Sequence, residues 1–320
     1  MWGERERDFA GRIVKQGLPL LFRLLASHVP LPVADDQPAK LYSRDYSKIG
    51  DQAICRFGSK GSGDGQFCWP RSVACNSRGE IVVADCMNHR IQVFDRNGKY
   101  LFKFGSNGKG NGQFDEPRGV IVDQRTNQIV VADSGNNRIQ IFDEKGTFLR
   151  AFGSNGGDGQ FSFPYGVVVD QQGNYVVSDH NNHRIQIFNS DGQFVRKFGS
   201  LGEGNGEMEH PTSVGLLLNG NIVASDYDGN RLQIFDSQGK FVRIVGDAGQ
   251  VENPRQIFVD SEDNILVADD GSDCIQVFHQ NGNHIKSIGK GLVSCPYGVC
   301  MDRERRIIVS EEDAHRVSIF

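Results

Sequence analysis

The sequence predicts an all-β protein, a six-bladed β-propeller with four antiparallel strands in each blade, preceded by a short leader. Two observations support this fold class. A unit of 42 to 47 residues recurs six times, and the last unit lacks a strand that a segment at the start of the repeat region can supply. Four short strands at this period are typical of propeller blades. The predicted boundaries are residues 1–47 for the leader and residues 48–320 for the propeller.

A proline occupies the same position in every unit. The six prolines are Pro70, Pro117, Pro164, Pro211, Pro254 and Pro296, at intervals of 47, 47, 47, 43 and 42 residues. Val or Ile follows three residues later in each unit, as in Arg71-Ser72-Val73. This recurrence fixes the alignment of the units and places the first strand of each blade at the proline.

The second strand of each blade is predicted by a run rich in β-branched residues that ends in Asp or Glu. The six runs are Ile81–Asp85, Ile129–Asp133, Tyr175–Asp179, Ile222–Asp226, Ile265–Asp269 and Ile307–Glu311. Apolar runs of this length indicate buried strands.

The third strand follows a four-residue polar loop, and its polar and apolar residues alternate. The six segments are Arg90–Phe94, Arg138–Phe142, Arg184–Phe188, Arg231–Phe235, Cys274–Phe278 and Arg316–Phe320. Alternation predicts a half-buried strand. A turn containing glycine then opens the fourth strand, such as Tyr100–Phe104.

The ends of the repeat region predict how the ring closes. The sixth unit, Pro296–Phe320, has room for only three strands, whereas Ala53–Ser59 has the pattern of an isolated fourth strand. Pairing these two segments completes the sixth blade and removes an exposed sheet edge.

The leader and the cysteines predict no membrane or metal partner. The apolar stretch Leu18–Leu25 is interrupted by Pro19 and Arg23 and is too short to span a bilayer. We expect the leader to be disordered or weakly helical, with an amphipathic partner-binding helix as the alternative. The seven cysteines lack the close paired spacing of zinc sites, and the chain has no Asn-x-Ser/Thr sequon. Both features favour buried free thiols and a cytoplasmic location.

Residues 83 to 95, Val-Ala-Asp-Cys-Met-Asn-His-Arg-Ile-Gln-Val-Phe-Asp, resemble the signature of the NHL repeat. The glycine-rich connector from Phe104 to Phe114 is similar to those of tripartite-motif (TRIM-NHL) proteins. The resemblance covers roughly residues 48–320. It implies a propeller that recognises protein substrates or RNA and that is joined, in the family, to a RING finger, B-boxes and a coiled coil. Any ubiquitin-ligase activity would belong to that RING, which this chain is expected to lack.

The residues that follow the prolines are predicted to surround the opening of the propeller on one face. These residues are Arg71, Arg118, Tyr165, Thr212, Arg255 and Tyr297. An outer ring is predicted from the loops between the second and third strands and from two connector lysines. The outer candidates are Lys60, Lys109, Asn88, His89, Asn137, His180, His183 and Asn230.

The chemistry of this face leaves two binding functions open. Arginines and tyrosines around an opening suit a protein partner, and they also suit the phosphates and stacked bases of single-stranded or hairpin RNA. The formal net charge of −5 favours the protein partner, because an RNA-binding protein is expected to be basic. Basic residues are expected on the side of blades one and two, and acidic residues on the side of blades four to six. The propeller itself is expected to be monomeric.

A catalytic propeller, such as a metal-dependent lyase or lactonase, is the less favoured alternative. A metal in the central channel requires ligands that converge from the innermost strands, and only His210, just before Pro211, is placed to approach it. The sequence therefore predicts no catalytic residues, no metal ligands and no cofactor.

A column of ion pairs is predicted inside the blades. The first arginine of each third strand follows the acidic end of the second strand by five residues, as Arg90 follows Asp85. We expect these pairs to hold loops rather than to bind a ligand. Blade five has Cys274 in the arginine position, so its loop Asp269–Asp273 is predicted to be an unpaired, solvated acidic loop, with a partner contact or a cation site as alternatives.

Overall fold

The computed structural model of the protein describes residues 45–50, 52–153, 158–246 and 248–320. The predicted leader therefore lies outside the described residues except for its last three positions. The described residues belong to one compact unit, Ala39–Phe320. They form six four-stranded antiparallel sheets, which confirms the predicted six-bladed propeller.

The first strand of each blade begins at its proline, and the second ends on an acidic residue. The first strands are Pro70–Cys75, Pro117–Val122, Pro164–Val169, Pro211–Leu216, Pro254–Val259 and Pro296–Met301. The second strands are Ile81–Asp85, Ile129–Asp133, Tyr175–Asp179, Ile222–Asp226, Ile265–Asp269 and Ile307–Glu311.

The third and fourth strands complete each sheet. The third strands are Arg90–Phe94, Arg138–Phe142, Arg184–Phe188, Arg231–Phe235, Cys274–Phe278 and Arg316–Ile319. The fourth strands are Tyr100–Phe104, Phe148–Phe152, Phe194–Phe198, Phe241–Val245, His284–Ile288 and, for the sixth blade, Cys55–Phe57. Short 3₁₀ helices occur at Tyr46–Lys48, Cys86–Asn88, Ser134–Asn136 and His180–Asn182.

The first strands stand side by side around a central channel, and each contacts the first strands of both neighbouring blades. The ring closes as predicted from the sequence, because Cys55–Phe57 pairs with the last strand in the register Cys55 to Ile319 and Phe57 to Val317. The channel has two ends. We call the end at which the first strands begin the mouth, and the end at which they finish the far end.

The third strands are buried on both faces, so the prediction of a half-buried strand is wrong for this element. Gln92 is fully buried; its amide donates to the main-chain oxygen of Gln66 at 2.7 Å and to Asp85 at 3.0 Å, and it accepts from the Gly65 amide. Gln140, Gln186 and Gln233 make the same contacts in blades two to four. The polar side chains face the connector rather than solvent. Burial is tolerated because each amide group has partners.

Phenylalanine side chains fill the space where neighbouring blades meet. Phe104, which ends blade one, packs on Phe142 of blade two with ring centroids 4.9 Å apart. Gly146, in the turn before the fourth strand of blade two, lies directly under Phe104 and has a φ of 82°. A side chain there would overlap the ring, so the glycine allows both the turn and the contact between blades.

Residues 45–50 pack against the propeller. Tyr46 and Ile49 are buried in the core cluster of blades five and six, and the Tyr46 hydroxyl donates to Asp260 at 2.6 Å. The packed part of the chain thus includes residues 45–47, which the sequence assigns to the leader.

Candidate functional site

Five side chains predicted from the proline column meet at the mouth of the channel. We call them the Arg–Tyr cluster; its members are Arg71, Arg118, Tyr165, Arg255 and Tyr297. The Arg71 guanidinium lies 4.6 Å from the centre of the Tyr297 ring, and Arg255 lies 5.0 Å from the same ring. Arg118 lies 4.6 Å from the Tyr165 ring and donates to its hydroxyl at 2.7 Å. Such cation–π contacts hold the arginines in place.

Each arginine of the cluster is also paired with a carboxylate. Arg71 contacts Glu312 at 2.9 Å, Arg255 contacts Asp270 at 2.8 Å and Arg118 contacts Glu116 at 2.7 Å. Arginine stays protonated in proteins, so the positive charges at the mouth are balanced locally. Burial raises the pKa of Glu312, although Arg71 and Arg255 oppose this shift.

Two donors of the cluster face buried space without a partner. The Nε atoms of Arg71 and Arg118 are buried and form no hydrogen bond with any residue that the structure describes. The Arg71 side chain is 7% exposed. Both nitrogen atoms are inaccessible from outside the protein, so they are a local cost of the packed cluster and not a ligand site.

The sixth residue of the proline column does not join the cluster. Thr212 is buried, and its hydroxyl donates to the Pro254 main-chain oxygen at 2.7 Å. His180 lies 3.3 Å from the main-chain oxygen of the preceding Pro211, and its ring stacks on Tyr165 with centroids 3.8 Å apart. The sequence places His180 in the outer ring, whereas the structure places it against the inner one, because the first residue of the loop points inward. Burial and the nearby His210 lower the pKa of His180 to about 3.

Two further columns contribute to the mouth, and His180 is the one member of them that was predicted as a site residue. The first is the residue directly before each proline: Trp69, Glu116, Phe163, His210, Asn253 and Cys295, all with positive φ. The second is the residue directly after the acidic end of the second strand: Cys86, Ser134, His180, Tyr227, Asp270 and Glu312. Both columns occupy a fixed position in every repeat, as the prolines do. The alignment of the six repeats would therefore have been enough to find them.

Four outer-ring candidates connect neighbouring blades. The last loop residue of each blade has left-handed backbone geometry, and its side chain accepts a hydrogen bond from the backbone N–H before the next proline. The six acceptors are His89, Asn137, His183, Asn230, Asp273 and His315, with distances of 2.7 to 3.3 Å. His315 bonds to Trp69 and so joins the last blade to the first. We call these six contacts the latches.

The remaining outer candidates differ in exposure. Asn88 is engaged inside the blade, where its amide donates to Asp85 and to the Gly61 main-chain oxygen at 2.9 Å. Lys60 and Lys109 are exposed on the connectors of blades one and two. Among the described residues, only these two of the predicted basic side chains stand outside ion pairs at this face.

The predicted column of Arg–Asp pairs is confirmed. Arg90 contacts Asp85 at 2.7 Å, and the corresponding pairs in blades two, three, four and six lie at 2.7 to 2.8 Å. Arg90 also donates to the main-chain oxygens of Ser62, Gly63 and Gln66, so each arginine fixes a connector.

The acidic loop of blade five is not unpaired, which corrects the prediction from the sequence. Asp270 pairs with Arg255, and Asp273 accepts from the Cys295 amide at 2.8 Å. Asp269 accepts from the Glu252 amide and from Gln276. The buried Asp269 and the half-buried Asp270 thus have donors in place of the missing arginine, whereas Asp273 is exposed but still accepts a hydrogen bond.

Within the described residues, no group of three or more His, Cys, Asp or Glu side chains is arranged to hold a metal ion. His180, His183 and His210 lie side by side, but His183 accepts from a backbone amide and His210 pairs with Asp228. In the part of the chain described by the structure, no helix has the length and apolar character needed to cross a membrane.

An exposed apolar patch lies beside the Arg–Tyr cluster. Trp69 is 41% exposed and Met87 is 38% exposed, and their loops are joined by the hydrogen bond from the Met87 amide to the Cys68 main-chain oxygen. The Trp69 ring lies 5.8 Å from the Arg71 guanidinium. The patch therefore continues the mouth outward over blade one.

Comparison with known proteins supports the same architecture. The family described as 6-bladed beta-propeller matches residues 72–152, and the NHL repeat matches residues 161–188. The B-box type zinc finger protein ncl-1 of Caenorhabditis elegans is 43% identical over 74 residues, which is 22% of this chain and 9% of that protein. Protein brain tumor of Drosophila melanogaster is 49% identical over 49 residues, 15% of this chain and 5% of that protein.

The E3 ubiquitin-protein ligase TRIM71 of Rattus norvegicus is 43% identical over 60 residues, 19% of this chain and 7% of that protein. The matched segments thus span less than a tenth of these relatives. Among solved structures, a streptogramin B lyase has a TM-score of 0.60 at 14% identity, covering 83% of this chain and 96% of the lyase. A gluconolactonase from Xanthomonas campestris has a TM-score of 0.64 at 14% identity, covering 80% of this chain and 87% of the other.

At this level of identity, the likeness to the two enzymes shows the fold alone. The repeat signature, the six sheets and the curated relatives agree with one another. The chain thus forms a six-bladed β-propeller with an NHL repeat at residues 161–188, and over short segments it is similar to proteins of the TRIM-NHL family.

Proposed function

We propose that the propeller is a non-catalytic recognition module that binds a protein partner at the mouth of its channel. The observation that carries this proposal is the exposed patch of Trp69 and Met87 beside the charge-balanced Arg71. Trp, Tyr and Arg are the residues enriched in the energetic centres of protein interfaces. Here the exposed Trp69 lies beside the buried Arg–Tyr cluster, 5.8 Å from the Arg71 guanidinium.

The balanced charges favour a protein over a polyanion. Arg71, Arg118 and Arg255 each already contact a carboxylate, so binding of phosphates would have to compete with those pairs. A protein partner can instead bind over the mouth and leave these pairs intact. Its apolar side chains would cover Trp69 and Met87.

The partner is proposed to be a ubiquitination substrate when the propeller is linked to a RING module. One relative is named an E3 ubiquitin-protein ligase, and only a small part of that protein is matched. In this arrangement, the propeller selects the substrate and the RING module supplies the activity.

Replacing residues of blade one with those at the equivalent positions of other blades tests the protein interface. Trp69→Glu introduces the residue that blade two has before its proline, and Met87→Asn introduces the loop residue of blade three. We expect the double variant to fold normally and to lose its partners in proximity labelling, since a buried Trp in an interface contributes about 2 kcal/mol or more. The matched control is Leu218→Gln, an exposed residue at the far end that becomes the residue of blade three. An unchanged partner list for the double variant would contradict the proposal.

RNA binding is the second candidate, and the exposed Lys60 and Lys109 favour it. Together with the aromatic residues of the mouth they could contact a single strand by charge and stacking. Crosslinked RNA recovered with the wild type and lost in Lys60→Glu/Lys109→Glu would support this function. Absence of crosslinked RNA from the wild type would exclude it at this face.

A further inference from the structure

The far end of the central channel holds a cavity that has no role in recognition at the mouth. Its volume is about 370 Å³, and its walls are the final residues of the first strands. Most of the wall is apolar: Ile121, Val168, Val169, Leu216 and Phe258 are only partly buried and line this space. Cys75 and Cys300 add two thiols to the wall, with sulfur atoms 3.5 Å apart.

A side chain that crosses the channel closes the cavity toward the mouth. The Gln256 amide donates to the Val73 main-chain oxygen at 3.0 Å and accepts from the Val73 amide at 3.1 Å. These residues belong to blades five and one, which are separated by blade six, so this contact bridges the channel. On the side toward the mouth, Gln256 also lines a smaller void of about 20 Å³. We call this cavity at the far end the well; Gln256 lies on its side toward the mouth.

Three polar side chains on the rim of the well have partners within the protein. Arg125 pairs with Asp123 at 3.0 Å, and the Gln124 amide donates to the Cys75 main-chain oxygen at 2.8 Å. Asp170 accepts from Asn174 at 2.7 Å. The apolar residues of the wall offer a charged ligand no partner below the rim, where its desolvation would be costly.

We propose that this well binds a small, uncharged and mainly apolar molecule. An apolar cavity of about 150 Å³ holds benzene, so a well of about 370 Å³ suits a ligand of about 15 non-hydrogen atoms. Well-formed ligand pockets have volumes in this range and mostly apolar walls. Binding is driven by removal of apolar surface from water and depends little on salt.

Titration with 1-naphthol tests the proposal directly, because this aromatic alcohol is uncharged at neutral pH and smaller than the well. We expect saturable binding of one molecule per chain and an increase in the melting temperature. The charged analogue 1-naphthalenesulfonate should bind at least about tenfold more weakly, since its ion must be desolvated. A wild-type protein without saturable 1-naphthol binding, or with equal affinity for both compounds, would overturn the proposal.

Two variants locate the binding site. Val168→Phe and Leu216→Phe each fill part of the well, and each should weaken 1-naphthol binding by about tenfold or more because the ligand loses volume. The matched control, Leu218→Phe, adds the same ring at a position that is 56% exposed outside the well and should bind as the wild type does. Circular dichroism confirms that each variant is folded. If folded Val168→Phe and Leu216→Phe both keep the wild-type affinity, the compound binds elsewhere and the proposal fails.

Discussion

Asp85, Arg90 and Gln92 form a buried polar unit that fixes one connector, and the same unit recurs in the next three blades. Asp85 accepts hydrogen bonds from the Cys68 amide at 2.7 Å, from Arg90 at 2.7 Å and from Gln92 at 3.0 Å. Burial raises the pKa of this carboxyl group, against the effect of its donors. A fully buried carboxylate is stable only while these partners remain.

Arg138→Ala in blade two should therefore destabilise the protein strongly. The variant leaves the fully buried Asp133 without its cation, and breaking a buried pair in this way costs about 3–5 kcal/mol. Chemical denaturation should show a large decrease in the unfolding midpoint. Lys103→Ala is the control, because its pair with Asp64 is about half exposed and contributes less than about 1 kcal/mol. Similar losses for the two variants would contradict the structural role of the buried unit.

The turn glycines also act at the scale of the residue. Gly146 and Gly220 have nearly equal φ values of 82° and 84°, but a side chain at Gly146 would overlap Phe104, whereas nothing lies within 4 Å of one at Gly220. Gly220→Ala should lower the free energy of unfolding only through the strained backbone conformation, by about 1 kcal/mol. Gly146→Ala should lower the free energy of unfolding by more, because the Phe104 ring at the contact between blades must also shift. Thermal melts of the two variants measure the difference, and equal melting temperatures would refute it.

The loop between the second and third strands is the element that joins one blade to the next. Its last residue is His, Asn or Asp, and each accepts from the backbone of the following blade. The Nδ1 atom of histidine accepts only when it is not protonated. Burial lowers the pKa of His183 and of His315, as expected for neutral rings.

The histidine latches should make the propeller sensitive to acid. Because the folded-state pKa lies below the unfolded value of about 6.5, the unfolded chain binds more protons, and the stability decreases as the pH falls below that value. His183→Asn/His315→Asn introduces the amide side chain that blades two and four have at this position. Between pH 7 and pH 5, the melting temperature of this variant should decrease less than that of the wild type.

The converse variant provides the control for this effect. Asn137→His replaces a latch that does not titrate and should increase the loss of melting temperature between pH 7 and pH 5. An identical pH dependence for the wild type and both variants would show that the latches do not control the acid response.

At the scale of the whole molecule, the ring is closed by a strand from the beginning of the propeller. Cys55–Phe57 covers the edge of Arg316–Ile319, and the Phe57 ring packs on Phe94 of blade one with centroids 4.8 Å apart. Removing this strand exposes an unpaired edge, and exposed edges pair with other chains.

Three truncated chains test the closure. A chain of residues 58–320 should melt at a lower temperature than one of residues 45–320 and should self-associate, as measured by size-exclusion chromatography with light scattering. A chain of residues 52–320 loses the contacts of Tyr46 and Ile49 but keeps the closing strand, so it should remain monomeric. Monomeric 58–320 with an unchanged melting temperature would contradict this account of the ring.

Features that repeat in the chain were predictable from it. The prolines and the acidic ends of the second strands recur once in every blade, and the two residues of each Arg–Asp pair are only five positions apart in the sequence. The structure has these features where they are predicted. The burial of Gln92 and the inward position of His180 were not predictable in the same way. Their surroundings come from the connector and from the next blade, so alternation within one strand gives no information about them.

The sequence by itself determined the number of blades, the strand bounds and the closure of the ring, because each depends on local hydrophobic pattern and on repeat length. Only the tertiary structure decided the chemistry of the two channel ends. Arg71 is balanced by Glu312, which lies in another blade, and the apolar well combines the ends of strands from all six blades. These contacts depend on how the blades pack around the axis, and that packing brings together residues far apart in the chain.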